Sequence, residues 1–192
     1  MPVCCRVNPA RPSRGRAGIA TSAEPRPAPG TYALVLSSSK DSLIKVGRLG
    51  WLRLQRGFYV YIGSALGPGG LYARIGHHRR RATRPRWHID YLRQHTRLER
   101  VWYRYGGARY EHEWARAMRT LPGATTPLDG FGSSDCDCGS HLFFFENRPS
   151  LRALERLISA GAVRRARKYG RPAECSEEIR QVLPNEFAQG LK

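Results

Sequence analysis

One stretch, GFYVYIGSALGPGGLYARIGHHRRR at 57–81, constrains the fold most. Its first seven residues alternate in the two-residue period of a strand, with Phe58, Val60 and Ile62 on one face and Tyr59 and Tyr61 on the other. Gly63, Gly67, Pro68, Gly69 and Gly70 then break the strand, and a helix begins near Gly70. Leu71, Arg74 and His78 occupy adjacent turns of that helix. The glycine loop has no Gly-Lys-Ser/Thr ending, so it lacks the lysine and hydroxyl that a P-loop aims at phosphate and magnesium. It also misses the G-x-G-x-x-G spacing of a dinucleotide site, and Pro68 removes one amide from any anion nest. No nucleotide cofactor is expected.

The elements around this unit predict a small α+β domain, an antiparallel sheet of three core strands plus extensions, flanked by helices. Residues 31–36 form a nearly continuous apolar run, as in a buried central strand. SLIKVGRLG reads as a second strand and turn, WHIDYLRQH as a short helix, and RLERVWYRYG as a strand alternating Val101, Tyr103 and Tyr105. YEHEWARAMRTL predicts a helix with Trp114, Ala117, Met118 and Leu121 inward, and HLFFFEN a last strand. Ser150 caps a helix with apolar residues at 151, 154, 157 and 158, and a short helix is expected near 176–183. The expected organisation is a disordered basic tail over 1–29, a domain over 30–147 and a helical C-terminal extension over 148–192. The tail holds six Pro and five Arg against one acid. An organelle transit segment would share its Arg excess, but its prolines oppose the amphipathic helix that role requires.

Charge narrows the function. The formal net charge is +18, and nearly all the basic residues are Arg, which suits bidentate contacts to phosphate. Between 71 and 109 there are eleven Arg and two acids, interleaved with Tyr72, Trp87, Tyr91, Trp102, Tyr103 and Tyr105 and with His77, His78, His88 and His95. Arg neutralises phosphate and aromatics stack on bases, so this segment predicts nucleic-acid contact, DNA more than RNA, through Arg79, Arg80, Arg81, Arg84, Arg86, Trp87 and His88. The competing reading is a solvated helix face with core aromatics. Phosphodiester cleavage needs a group to activate water, a cation for developing charge and usually a carboxylate-held metal. The strand tyrosines, a helical Arg, one or two His and a later helical Glu could supply these.

These residues resemble the GIY-YIG nuclease superfamily. Its second motif is present as Tyr61-Ile62-Gly63 and its first as Gly30-Thr31-Tyr32, separated by a longer spacer that fits an inserted hairpin around IKVGRLGWLRL. VGRLG, GSALGPGGL, RWHIDYL and GFGSSDCDCGSHLF resemble a poorly characterised subfamily sometimes fused to endonuclease III-type glycosylases. The resemblance runs from 30 to about 146. It implies a metal-dependent endonuclease acting on DNA, in repair or on structured DNA, leaving a 5′-phosphate and a 3′-hydroxyl, with DNA-repair proteins as partners. It implies that Tyr32 or Tyr61 helps activate water, that Arg74 stabilises phosphorane-like charge and that His78 assists proton transfer. Glu111 would hold a single magnesium ion, with Glu113 the fallback. His112 stands where the subfamily usually has Cys, and the wider family's terminal Asn has no counterpart. The alternatives are a non-catalytic nucleic-acid-binding module of the same fold and a metal-stabilised protein-interaction domain.

Cys136, Cys138 and His141 are soft ligands at C-x-C-x2-H spacing, which could hold a structural zinc ion with a fourth ligand from His88, His112 or Asp135. The other reading is a turn whose cysteines pack as small hydrophobes. Five cysteines at uneven spacing do not form a disulfide framework, and no window is apolar enough to span a membrane, so a reducing, cytoplasmic setting is expected.

Overall fold

The computed structural model describes residues 24–133, 136–169 and 178–184, with side chains described throughout except over 162–169. The element order is β1 (Gly30–Ser38), β2 (Ser42–Val46), β3 (Gly50–Leu54), β4 (Gly57–Ala65), α1 (Gly70–Arg79), α2 (His88–Arg93), β5 (Arg97–Tyr105), α3 (Glu111–Arg119), β6 (Leu142–Phe145), α4 (Leu151–Tyr169) and β7 (Arg180–Val182). The fold is α+β. Five strands form an antiparallel sheet in the order β6-β4-β1-β5-β7, and β2-β3 is a separate hairpin.

β1 reads as an apolar run because both faces of the sheet are covered. Tyr32, Leu34 and Leu36 share one core with Tyr59, Val101 and Tyr103, with Leu71 and Ile75 of α1, Leu92 of α2 and Ile44 and Leu52 of the hairpin. Ala33 and Val35 share the other core with Val60, Ile62 and Trp102, with Trp114 and Met118 of α3 and Leu151, Leu154 and Ile158 of α4. α1 and α2 therefore lie on the face that carries the motif tyrosines. Among the described residues, no helix is long and apolar enough to cross a membrane.

The glycine loop is a tight reversal. Gly69 (φ 76°) and Gly70 (φ 51°) take the left-handed conformation that side chains disfavour, and a Cβ on Gly70 would collide with the backbone of Ala28. The Gly70 amide donates to the Gly67 carbonyl at 3.1 Å and the Leu71 amide to the Ala28 carbonyl at 2.9 Å, so these amides are already engaged.

Two expectations at the chain ends change. The stretch expected as disordered tail is docked over 24–29. The Arg26 amide donates to the Tyr105 hydroxyl at 2.9 Å, and the Pro29 carbonyl accepts from Gly106 at 3.0 Å. Residues 1–23 lie outside the described residues. HLFFFEN is not the last strand. Where a short helix is expected near 176–183, Arg180–Val182 is β7, paired to the edge of β5. The exposed ladder of β5 accounts for this: three residues gain strand hydrogen bonds there, and Gln181 Oε1 accepts from Trp102 Nε1 at 3.1 Å.

Candidate active site

β1 and β4 run antiparallel with Tyr32 opposite Gly63. Tyr61 lies two residues before that glycine, so the two phenols come to the same end of the sheet with ring centroids 6.4 Å apart. A Cβ on Gly63 would lie 2.5 Å from the Tyr32 oxygen and 2.7 Å from its Cζ. The glycine is therefore required by the tyrosine ring that lies over it. The turn at 66–69 returns the chain so that α1 packs on this face. α1 brings His78 to Tyr32, with 2.8 Å between the phenol oxygen and Nε2. One turn earlier, Arg74 places its guanidinium carbon 4.3 Å from the centroid of the Trp87 ring, a cation–π stack.

These groups line an open cleft of about 310 Å³ together with Arg86, His88, Arg109, Glu111, His112, Cys136 and His141. All five residues expected at the catalytic centre, Tyr32, Tyr61, Arg74, His78 and Glu111, reach it. Glu111 opens α3 and is buried, with Oε1 3.9 Å from the Arg109 guanidinium and 3.7 Å from His112 Nε2. Its Oε2 is buried without a hydrogen-bond partner among the described residues. Glu113 does not line the cleft.

Burial sets the protonation states. It raises the Tyr32 hydroxyl well above the usual phenol range, reinforced by Tyr61. Burial also raises Tyr61 to about 12, against the opposing charge of Arg74. His78 is lowered to about 3, by burial first and then by His77 and other neighbours. At neutral pH both phenols carry their protons and His78 is neutral. His88 is lowered by burial, and its Nδ1 accepts from the Gly132 amide at 3.2 Å, which leaves Nε2 as its donor.

Only part of the basic run reaches the cleft. Arg86, Trp87 and His88 line it, whereas Arg79, Arg80, Arg81 and Arg84 do not. Arg79 lies 3.7 Å from Glu24, and Arg80, Arg81 and Arg84 are exposed just beyond α1. Two arginines of the run are internal. Arg93 donates to the carbonyls of His78 and Thr96 at 3.0 and 2.8 Å, and Arg104 is buried over Tyr110. Trp102, Tyr103 and Tyr105 are core residues, so exposed stacking surface in the segment comes from Tyr72 and Trp87.

Sequence reasoning passed over Asp90. Burial alone would raise its carboxyl. The amides of Trp87 and Arg86 outweigh that, donating to Oδ2 at 3.0 and 2.9 Å, and with His77 at 2.9 Å from Oδ1 they hold it below the usual carboxylate range. Asp90 thereby fixes the Arg86–Trp87 corner against α1. The signal was an acid three residues into the WHID turn, the place where a carboxylate caps backbone amides.

Cys136, Cys138 and His141 come together, and the fourth group beside them is His112 rather than His88; Asp135 lies outside the described residues. Cys136 and Cys138 are free thiols. Burial raises Cys138, followed by the neighbouring Cys136, and burial lowers His141, followed by His112.

Fold and cleft together define a three-layer α+β domain with a polar, arginine-edged site at one end of its sheet. The chain belongs to the family described as Domain of unknown function DUF123, which it matches over residues 31–162. No curated protein and no solved structure is significantly similar to it.

Proposed function

We propose that this chain is a metal-dependent endonuclease of the GIY-YIG kind, hydrolysing phosphodiester bonds in DNA. The observation that carries this reading is the convergence of Tyr32, Tyr61, Arg74, His78 and Glu111 on one cleft bordered by Arg86, Trp87 and Arg109. Arg74, held on the face of Trp87, would meet a phosphate oxygen and offset the charge that develops on attack. The phenols of Tyr32 and Tyr61 would hold the attacking water as neutral hydroxyls. Tyr32 can take a proton from that water only as it passes its own to His78 Nε2. Glu111 fits the single magnesium ion that the resemblance implies, because it lines the cleft and one of its carboxylate oxygens is buried with no hydrogen-bond partner among the described residues. That ion would supply Lewis-acid stabilisation of the phosphate.

The second reading, a non-catalytic nucleic-acid-binding module, is favoured by the titration pattern. Neither phenol nor imidazole has a pKa near neutrality, where general acid–base catalysis is most effective. Cleavage assays with magnesium on supercoiled, branched, flapped, abasic and single-stranded DNA separate the two. Cleavage that falls by about 10²–10³ in Arg74→Ala and Glu111→Gln supports the nuclease. Wild-type protein that binds these substrates and cuts none establishes the binding module. Equal cutting by Glu111→Gln removes the metal role from that residue.

A further inference from the structure

The geometry points to a zinc site made by His112, Cys136, Cys138 and His141, separate from the carboxylate of Glu111 and tying together the two sides of the cleft. The four ligand atoms lie within 4.8 Å of one another. His112 Nδ1 is 3.3 Å from Cys138 Sγ, and His141 Nε2 is 3.5 Å from Cys136 Sγ. Bonds of ~2.3 Å to sulfur and ~2.0–2.1 Å to nitrogen at tetrahedral angles place adjacent N and S ligands about 3.6 Å apart. Both observed pairs are close to that spacing. Two thiolates and two imidazoles in a closed four-ligand set are the donors of a structural zinc centre.

The connections of these residues tell what the ion would do. His112 is the second residue of α3, next to Glu111. His141 precedes β6; its amide donates to the Phe131 carbonyl at 2.8 Å, and its own carbonyl accepts from Ile62 at 2.9 Å, between Tyr61 and Gly63. One ion would therefore cross-link the element that begins with Glu111 to the strand that carries Tyr61. With Nδ1 committed to the metal, His112 presents Nε2–H toward Glu111 Oε1, 3.7 Å away. A carboxylate facing the free nitrogen of a zinc-bound histidine fixes the ring tautomer and orients both groups. Zinc would thus position Glu111 without being bound by it. In the competing cluster, His77 and Asp90 are paired with each other and His78 Nε2 with the Tyr32 hydroxyl, and the cluster offers no thiolate.

The test uses the full chain, purified without chelator or histidine tag and analysed by elemental mass spectrometry. About one zinc per chain is expected, falling below a tenth in Cys138→Ser and His112→Ala. Glu111→Gln should keep its zinc, which separates this ion from any magnesium. His112→Cys guards against simple unfolding. It should retain zinc, and its cobalt-substituted form should show stronger thiolate-to-metal absorption than cobalt-substituted wild type. Less than a tenth of an equivalent in wild type, with no uptake when the reduced protein is titrated with zinc alone, overturns the site. Full zinc retention in both Cys138→Ser and His112→Ala overturns the ligand set.

Discussion

Gly63→Ala is the sharpest probe of how the cleft is assembled. Gly63 is not among the glycines with positive φ, so alanine is acceptable to the backbone and the whole effect comes from its methyl group. That carbon would lie 2.5, 2.7 and 3.1 Å from Oη, Cζ and Cε1 of Tyr32, where ordinary contact is ~3.5 Å. The phenol must retreat by about 1 Å. It is buried within the first core and bonded to His78 at 2.8 Å, so the movement strains the packing and disturbs that hydrogen bond. Overpacking costs about 1–3 kcal/mol and a poorly paired buried polar group about 1–3 kcal/mol, so a loss of roughly 2–6 kcal/mol is expected. Urea denaturation measures it. Tyr32→Leu removes all three clashing atoms. In that background Gly63→Ala should cost almost nothing, or gain about 0.5 kcal/mol from the better strand residue. The cycle should therefore show a coupling of about 2 kcal/mol or more. Effects that add to within ~0.5 kcal/mol would refute the idea that Gly63 exists to seat Tyr32.

Three further outcomes follow from the same geometry. His78 is depressed to about 3 against an unfolded value near 6.5, so below pH 6.5 the unfolded chain binds a proton that the folded chain refuses. Stability is full above that pH and falls as pH drops toward 3, by about 2 kcal/mol at pH 5 from this residue. The loss of urea stability between pH 7 and 5 should be smaller in His78→Gln by that amount, and equal losses would count against it. Asp90→Ala should release the amides of Arg86 and Trp87, seen as faster hydrogen exchange at both, with a loss of about 1–3 kcal/mol; unchanged exchange would contradict the capping role. DNA binding through about four to six of Arg74, Arg80, Arg81, Arg84, Arg86 and Arg109 should weaken about 10²–10³-fold between 50 and 200 mM salt, and a flat profile would argue against phosphate contact.

The local units were legible in the sequence because short-range geometry determines them. Alternation at 57–63 required a strand, the glycines a reversal and the spacing of Arg74 and His78 a shared helix face. The strand and turn at SLIKVGRLG were readable in the same way, and the hairpin that stands as β2-β3 was inferred from the long spacer between the two family motifs. Partition between core and surface was less legible. Arg93 and Arg104 belong to the same basic run as Arg84 and Arg86, but only packing against carbonyls and an aromatic ring turns them inward. Likewise, Trp102 and Tyr103 are interleaved with arginines like base-stacking residues, and helices on both faces of the sheet bury them. β7 was misread because a three-residue strand has too little pattern of its own and depends on the free edge of β5.

By itself, then, the sequence determined the strand–turn–helix unit, the reversal at its glycines and the nature of the available donors, since these depend on neighbours a few residues apart, whereas the need for glycine at 63 came from the Tyr32 ring on the paired strand. Tertiary structure alone decided that Glu111 lines one cleft with Tyr61, with one oxygen unpartnered among the described residues, and that His112 rather than His88 joins Cys136, Cys138 and His141. Such meetings bridge tens of residues, and their geometry depends on how two cores pack on opposite faces of one sheet, which no local period records.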